Sequence, residues 1–243
     1  MRLLGAALNN LGNETFYQRH GKRAIDLALS LILLVLFWWV LAIVAILVRV
    51  KLGSPVLFKQ PRPGKDERIF NLCKFRTMTD ERDAEGNLLP DEVRLTKFGR
   101  ALRATSLDEL PEVFNIVKGE MAIIGPRPQL VRDMVFMTAE QRKRHLVRPG
   151  LSGLAQVNGR NAIAWDDKLG YDLKYIERIT LAGDLAIFFR TIAKAFVKQE
   201  GISEEGMATA ADYGDYLLSE GRVSSDEYAS RQETAHILLS GME

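Results

Sequence analysis

The chain has 243 residues, 47% of them apolar, and a formal net charge of +2. That length supports one fair-sized domain or two small ones with a buried core, and the near balance of charge argues against a general nucleic-acid binder, which should be strongly basic. A single cysteine, Cys73, excludes an internal disulfide framework and reads as a small buried hydrophobe, while His20, His145 and His236 show no metal-ligand spacing. Residues 1–20, with Gly5 and Gly12, form an N-terminal segment with apolar periodicity for a short interfacial helix. Residues 21–51 are a membrane-inserted helix. Within them LALSLILLVLFWWVLAIVAILV, from Leu27 to Val48, is an uncharged run of about 22 residues, and about 20 suffice to cross a bilayer. Such a run is too long and begins too late for a cleaved signal peptide.

The flanks of this segment carry cations on both sides, at Arg19, Lys22 and Arg23 and again at Arg49 and Lys51. Cytoplasmic flanks attract Lys and Arg, so both ends are expected on that side, as in a helix that re-enters the leaflet it left. The plain alternative is a straight span. Re-entry needs a bend near Phe37 to Val40, and the segment has neither Pro nor Gly to make one. Three features remain to hold it: Ser30 bonding back to the backbone, Asp26 pairing with Lys22 or Arg23, and docking on the domain that follows.

Residues 52–200 read as the main folded domain. Turn chemistry surrounds a short strand, VLFKQ, and RIFNLCKFRTM from Arg68 to Met78 reads as a second strand. Alternation places Phe70, Leu72, Lys74 and Arg76 on one face; two cations continuing an apolar face mark either a site or a solvated strand end. A charged loop follows. Arg94 to Val117 is helical in pattern, interrupted near Thr105 and Ser106. GPRP, Gly125 to Pro128, is a rigid turn. Helices are expected from Leu130 to His145, Trp165 to Ile179 and Asp184 to Lys198, with a glycine-rich loop between the first two. Residues 201–243 are a polar helical extension, with two short helices, the second capped by Ser224 or Ser225.

The stretch SLDELPEVFN, Ser106 to Asn115, places adjacent carboxylates where a helix should begin. Ser106 and Glu109 have the spacing of a capping box, or Asp108 is itself the N-cap. In either case both carboxylates lie in a first turn, where the helix dipole favours negative charge and keeps Asp108 ionised as a nucleophile requires. Plain capping explains the stretch taken alone. Against that stand many cations in candidate site segments, among them Lys74, Arg103 and Arg127. Arg127, fixed between Pro126 and Pro128, can grip a phosphate with two parallel hydrogen bonds or serve as a surface turn residue. Carboxylates plus cations on a membrane-anchored domain suggest phosphate chemistry with a divalent metal.

Seven motifs, in order, resemble one family: KRAID, FKQPRPG, CKFRTM, SLDELPEVFN, GPRPQLV, RPGLSGLAQVNGRN and GDLAI. The chain is similar to the bacterial sugar transferases that initiate glycoconjugate assembly, the monotopic phosphoglycosyl transferases. That resemblance implies a predominantly α fold with a small β element, a re-entrant membrane helix and a cytoplasmic catalytic domain with interfacial helices, at the bacterial inner membrane. It implies transfer of a phospho-sugar from a UDP-sugar to polyprenol phosphate through an aspartyl intermediate, giving polyprenyl diphosphate sugar and UMP. In the family pattern Asp108 is the nucleophile, and Glu109 helps hold Mg2+ beside it. Lys74, Arg103 and Arg127 match the cationic positions, and Gln156, Asn158 and Arg160 lie in a loop near the nucleotide-sugar. Asp172 and Asp184 match positions read as structural support. A homo-oligomer and downstream glycosyltransferases are the further partners. Trp38 and Trp39 stand where the family has a Ser-Pro pair. Two other readings compete: a membrane-tethered scaffold of a glycan-assembly complex, and a sugar–sugar glycosyltransferase, which the absence of an Asp-x-Asp pair disfavours.

Overall fold

The computed structural model describes residues 15–159, 163–197 and 212–241. The fold is mostly helical with two small sheets. The expected interfacial helix over residues 1–20 lies almost wholly outside the described residues. After a π-helical turn at Tyr17–Gly21 comes α1, Lys22–Leu52, the one described helix long and apolar enough to cross a membrane. Leu29, Val35, Leu36, Trp38 and Ile46 on it are exposed, which in water would be a severe penalty and in lipid is none.

The helix is kinked. Phe37 has φ −120° and ψ 15°, outside the helical region and within the stretch where a bend was expected. No proline makes the break. Instead the Trp39 indole N–H donates to the Leu36 carbonyl at 3.0 Å, satisfying an acceptor that a broken ladder would leave open. Contacts on either side require the bend. Arg23 donates to the carbonyls of Ile116 and Val117 at 2.6 and 2.9 Å, while Val44, Val48 and Leu52 pack with Phe75, Leu102, Leu107 and Leu110. A straight helix would separate Arg23 from Val48 by about 37 Å, yet Leu110 and Ile116 belong to one short helical stretch about 10 Å long.

Two expected supports of the bend differ from what is found. Asp26 does not pair with Lys22 or Arg23; it is buried and accepts from the Ile123 N–H at 3.1 Å. Lys22 reaches Asp184 instead, at 2.5 Å. Ser30 is buried with its hydroxyl unpaired, so it does not bond back to the backbone. Docking on the domain, the third support, is the one realised. Asp184 also accepts from the Tyr17 and Tyr175 hydroxyls at 2.6 and 2.9 Å, fastening the start of α1 to the domain.

Strands β1, Leu57–Pro63, and β2, Ile69–Phe75, form an antiparallel hairpin in which Phe58 lies opposite Lys74 and Arg62 opposite Phe70. β1 runs on through Pro61 and Pro63, which a two-stranded ribbon tolerates at its free edge. The helical region expected from Arg94 is divided more finely than its pattern suggests, into α2, Asp91–Arg94, α3, Lys97–Ala104, a 3-10 turn at Leu107–Glu109, and α4, Glu112–Lys118. Gly99 lets α3 lie against the end of β2, since a Cβ there would stand 1.8 Å from the Thr77 carbonyl oxygen. Asn115, fully buried, locks α4 to β2: it accepts from the Cys73 N–H at 3.0 Å and donates to the Asn71 carbonyl at 2.8 Å.

β3, Ala122–Ile124, pairs in parallel with β4, Gly150–Ser152. The helix expected from Leu130 to His145 is split into α5, Val131–Met134, α6, Ala139–Arg142, and a 3-10 turn at Lys143–Leu146. Thr138 restarts the chain by a reciprocal cap with Gln141, a signal stronger than the apolar period that runs through it. Then come α7, Leu154–Asn158, α8, Trp165–Glu177, and α9, Leu181–Val197. The C-terminal helices are α10, Tyr213–Ser219, and α11, Ser225–Ser240, the latter capped by Ser224, whose Oγ accepts from the Glu227 N–H at 3.1 Å. They pack on the domain directly: Tyr213 and Leu217 join Phe136, Met137, Trp165 and Leu169, and Ala235 joins Val131 and Met134.

Candidate active site

The two carboxylates do not cap a helix. Ser106 makes no side-chain cap and sits in the left-handed region at φ 55°, an uncommon place for a residue with a Cβ. Pro111, not Asp108, stands at the N-cap of α4. The capping box fails because the Glu109 carboxylate is drawn elsewhere: its Oε1 takes Lys74 Nζ at 2.8 Å and an Arg127 guanidinium nitrogen at 2.5 Å. β2, the 3-10 turn and the GPRP turn thus meet at one oxygen. Nor is the cationic end of β2 a solvated strand end. Lys74 is committed to Glu109 and approaches Glu112 at 3.3 Å; Arg76 is buried and donates to Asp80 and to the Ser54 carbonyl at 2.6 and 3.0 Å.

Neighbouring carboxylates are driven in opposite directions. Burial alone would raise Glu109, but the charges of Arg127 and Lys74 outweigh it and hold this carboxyl well below the usual range. Burial, followed by repulsion from Glu109, pushes Asp108 up to about 6, against the opposing pull of Lys74, Arg103 and Arg127. The expected dominance of a helix dipole is therefore not what governs Asp108; desolvation governs it, and the group still remains mostly ionised at neutral pH. Among the described residues no hydrogen bond to the Asp108 carboxylate is made, so it is buried at 8% exposure yet not tied down. Arg103, whose charge acts on Asp108, donates from Nε to the Thr77 hydroxyl at 3.1 Å.

Glu112, within the SLDELPEVFN stretch but given no role by its spacing, joins this group. It is 2% exposed, and burial and Glu109 push it up to about 7, with Lys74 opposing. Arg144 was also missed. It is buried, donates to Asp172 from Nε and from one terminal nitrogen at 2.9 and 2.7 Å, and donates to the Arg127 carbonyl at 2.5 Å. Arg62 donates to the next carbonyl, that of Pro128, at 3.1 Å, and the Pro126 carbonyl accepts from the Gly150 N–H at 2.9 Å. The turn's backbone is thus held from behind, which aims the Arg127 side chain at Glu109. Asp172 is a support for that turn, as its position suggested.

Gln156 and Asn158 lie on α7, against the strand that leads into the turn. A Cβ on Gly153 would meet both the Gly125 carbonyl oxygen, at 2.1 Å, and the Gln156 Oε1, at 2.8 Å. Both polar atoms of the Gln156 amide are buried without a partner, and a buried unpaired amide needs an explanation. Asn158 is engaged instead, donating to the Leu154 carbonyl at 2.7 Å and accepting from Arg190 at 2.9 Å. Arg160 lies outside the described residues.

A family model described as bacterial sugar transferase matches residues 17–198. An uncharacterized sugar transferase, EpsL, of Bacillus subtilis is 48% identical over 189 residues, covering 78% of this chain and 93% of that protein. A UDP-glucose:undecaprenyl-phosphate glucose-1-phosphate transferase of Klebsiella pneumoniae is 36% identical over 73% of this chain. A UDP-N-acetylgalactosamine-undecaprenyl-phosphate N-acetylgalactosaminephosphotransferase of Aeromonas hydrophila is also 36% identical, over 70% of it. The match spans only 40% and 42% of those two larger relatives. The matched region contains α1, both small sheets and every carboxylate and cation of the site just described, and on that ground the chain belongs to the bacterial sugar transferases, a phosphoglycosyl transferase family.

Proposed function

We propose that this chain transfers a phospho-sugar from a UDP-sugar to polyprenol phosphate, releasing UMP. One observation carries the reading: Asp108 is an untethered, ionisable carboxylate set among Lys74, Arg103 and Arg127, beside a second carboxylate that Lys74 and Arg127 hold ionised. An Asp108 oxygen attacks the phosphorus bearing the sugar, and the bond from that phosphorus to UMP breaks. An oxygen of polyprenol phosphate then attacks the same phosphorus and expels the Asp108 carboxylate. The intermediate lets a soluble anion and a lipid anion use one site in turn. The cations stabilise charge gathering on the phosphoryl oxygens. Gln156 offers its unpaired amide to the nucleotide-sugar, with Arg160 nearby in sequence, while Asn158 shapes the loop through Leu154 and Arg190.

The donor set also suits Mg2+. Among the described residues no group of three His, Cys, Asp or Glu is arranged to hold a metal. Magnesium, however, is commonly held by one or two carboxylates, with substrate phosphates and water completing its shell. Asp108 and Glu109 are such a pair, and the ion would supply charge neutralisation on the diphosphate.

In this reading the domain faces the cytoplasm at the inner membrane. Its membrane helix re-enters the leaflet, supported by the break at Phe37 and by the contacts of both arms with one domain. Leu181, Leu185, Phe189 and Ile192 of α9 are exposed at helical spacing, as suits a helix lying in the interface. Purified protein given UDP-sugars and polyprenol phosphate is expected to release UMP. Release of UDP would indicate sugar–sugar transfer, and release of neither a scaffold. Asp108→Asn is expected to keep the fold and lower turnover by about 10³-fold or more.

A further inference from the structure

A groove of about 410 Å³ lies between the start of β1 and the loop after β2, lined by Pro55, Leu57, Phe58, Lys59, Arg76 and Asp80. We propose that this groove seats the lipid acceptor, its apolar wall taking the first isoprene units and its cations the phosphate; the assignment rests on the transfer reaction proposed above.

Four observations converge. The wall is apolar and open: among the described residues Leu57 is 37% and Phe58 47% exposed. The floor is a cation with unused capacity. The Arg76 side chain is 9% exposed and lines the groove, and its Nε has no hydrogen-bond partner. Its other bonds go to Asp80 and to Ser54, two residues past the end of α1, so the groove opens where the chain leaves the membrane. One lining residue is linked to the reacting groups through the hairpin. Phe58 pairs across the ladder with Lys74, so the two side chains share a face about 5 Å apart, and Lys74 holds Glu109.

Charge complementarity selects a phosphate. Lys59 and Arg76 give two positive charges against one from Asp80, and Asp80 is a displaceable counterion, 57% exposed. An isoprenoid phosphate meets both halves of the site at once. An incoming phosphate would compete with Asp80 for Arg76, which yields an expectation of opposite sign to the usual loss on mutation: neutralising Asp80 tightens acceptor binding.

The test uses the full chain in detergent, with a short, detergent-soluble isoprenoid phosphate as probe. Equilibrium binding of the probe is measured by calorimetry, and the UMP burst is measured without acceptor. Lys59→Glu is expected to weaken the probe about tenfold, and Asp80→Asn to tighten it several-fold. Phe58→Ser should weaken it as well, while all three leave the UMP burst from donor alone unchanged. Unchanged probe affinity in all three variants overturns the proposal. So does a weakened burst, which would assign the groove to the nucleotide-sugar. An effect confined to vesicle binding, with the soluble probe unaffected, would make the surface a bulk membrane contact and overturns it too. Variant-sensitive probe binding in a chain that releases no UMP would sustain the groove and sink the transfer reaction.

Discussion

Arg144 and Asp172 show what a single pair does for the site. Both are buried, and Arg144 serves Asp172 and the Arg127 carbonyl together. Removing one partner strands the other charge in a low dielectric, which costs about 3–5 kcal/mol, whereas replacing both with apolar residues is often near neutral. Arg144→Met is therefore expected to destabilise by that amount and Arg144→Met with Asp172→Leu by much less, measured by denaturant unfolding in detergent. Both variants should lose turnover, because each frees the Arg127 turn; a double variant with full activity would show that the turn needs no such support. Glu67 makes a pH-dependent prediction. His145 and Arg142 bond to its carboxylate and hold it down at about 2 from an ordinary value near 4.5. A depressed carboxylate contributes stability that is fully present above its unfolded value and is lost as pH falls through the folded one. The stability gap between the unsubstituted chain and Glu67→Gln, worth at most about 1 kcal/mol for so exposed a pair, should thus be lost as pH falls from about 4.5 towards 2.

At the scale of the element, α1 is the informative case. A proline breaks a helix by removing a donor and clashing with the preceding turn. Here an indole achieves a similar end by occupying the Leu36 carbonyl from the side. Trp39→Phe keeps the apolar bulk and removes that donor, leaving an open carbonyl in lipid, and the cheapest remedy is a regular helical bond. The variant is expected to straighten and to shift a fraction of molecules to a spanning form. Single cysteines at residues 10 and 81, probed in intact cells with a membrane-impermeant reagent and with Cys73 replaced, check this. Both sites should be protected in the unsubstituted chain, and residue 10 should become labelled with Trp39→Phe. Equal protection in both chains would leave the bend to docking alone. α4 carries a related lesson. Its sequence advertises a capped start, but a carboxylate with two cations in reach satisfies those before it satisfies a backbone N–H, because an ion pair at low exposure outweighs one neutral-donor bond.

For the whole molecule, the polar extension is part of the same core. The Tyr213 backbone N–H donates to one Asp133 carboxylate oxygen at 2.8 Å, the other oxygen takes the Leu130 N–H just past the GPRP turn, and Arg231 donates to the Val135 carbonyl at 3.0 Å. Deleting residues 212–243 would expose Phe136, Met137, Trp165 and Leu169. Each large apolar side chain so uncovered costs about 1.5–3 kcal/mol, so the truncated chain is expected to lose folded yield and turnover together, read by size-exclusion profile and UMP release. By itself the sequence determined what is local or compositional. It marked the apolar helix, because a run of uncharged residues needs no partner to be recognised; the adjacency of Asp108 and Glu109; the fixed turn around Arg127; and the seven ordered motifs. It also placed the bend within a residue or so. Only the tertiary structure decided which charges meet. Glu112 and Arg62 lie inside two of those motifs and Arg144 outside them, but nothing local names their partners, since the contacts of all three join residues tens of positions apart. The partners of Asp26 and Lys22 changed for the same reason: at helical spacing they were each other's nearest neighbours, but the folded domain offered Asp26 a backbone N–H and Lys22 a buried carboxylate. Burial, which exists only after folding, likewise set the Asp108 carboxyl, overriding the helix-end field that its position in the sequence implied.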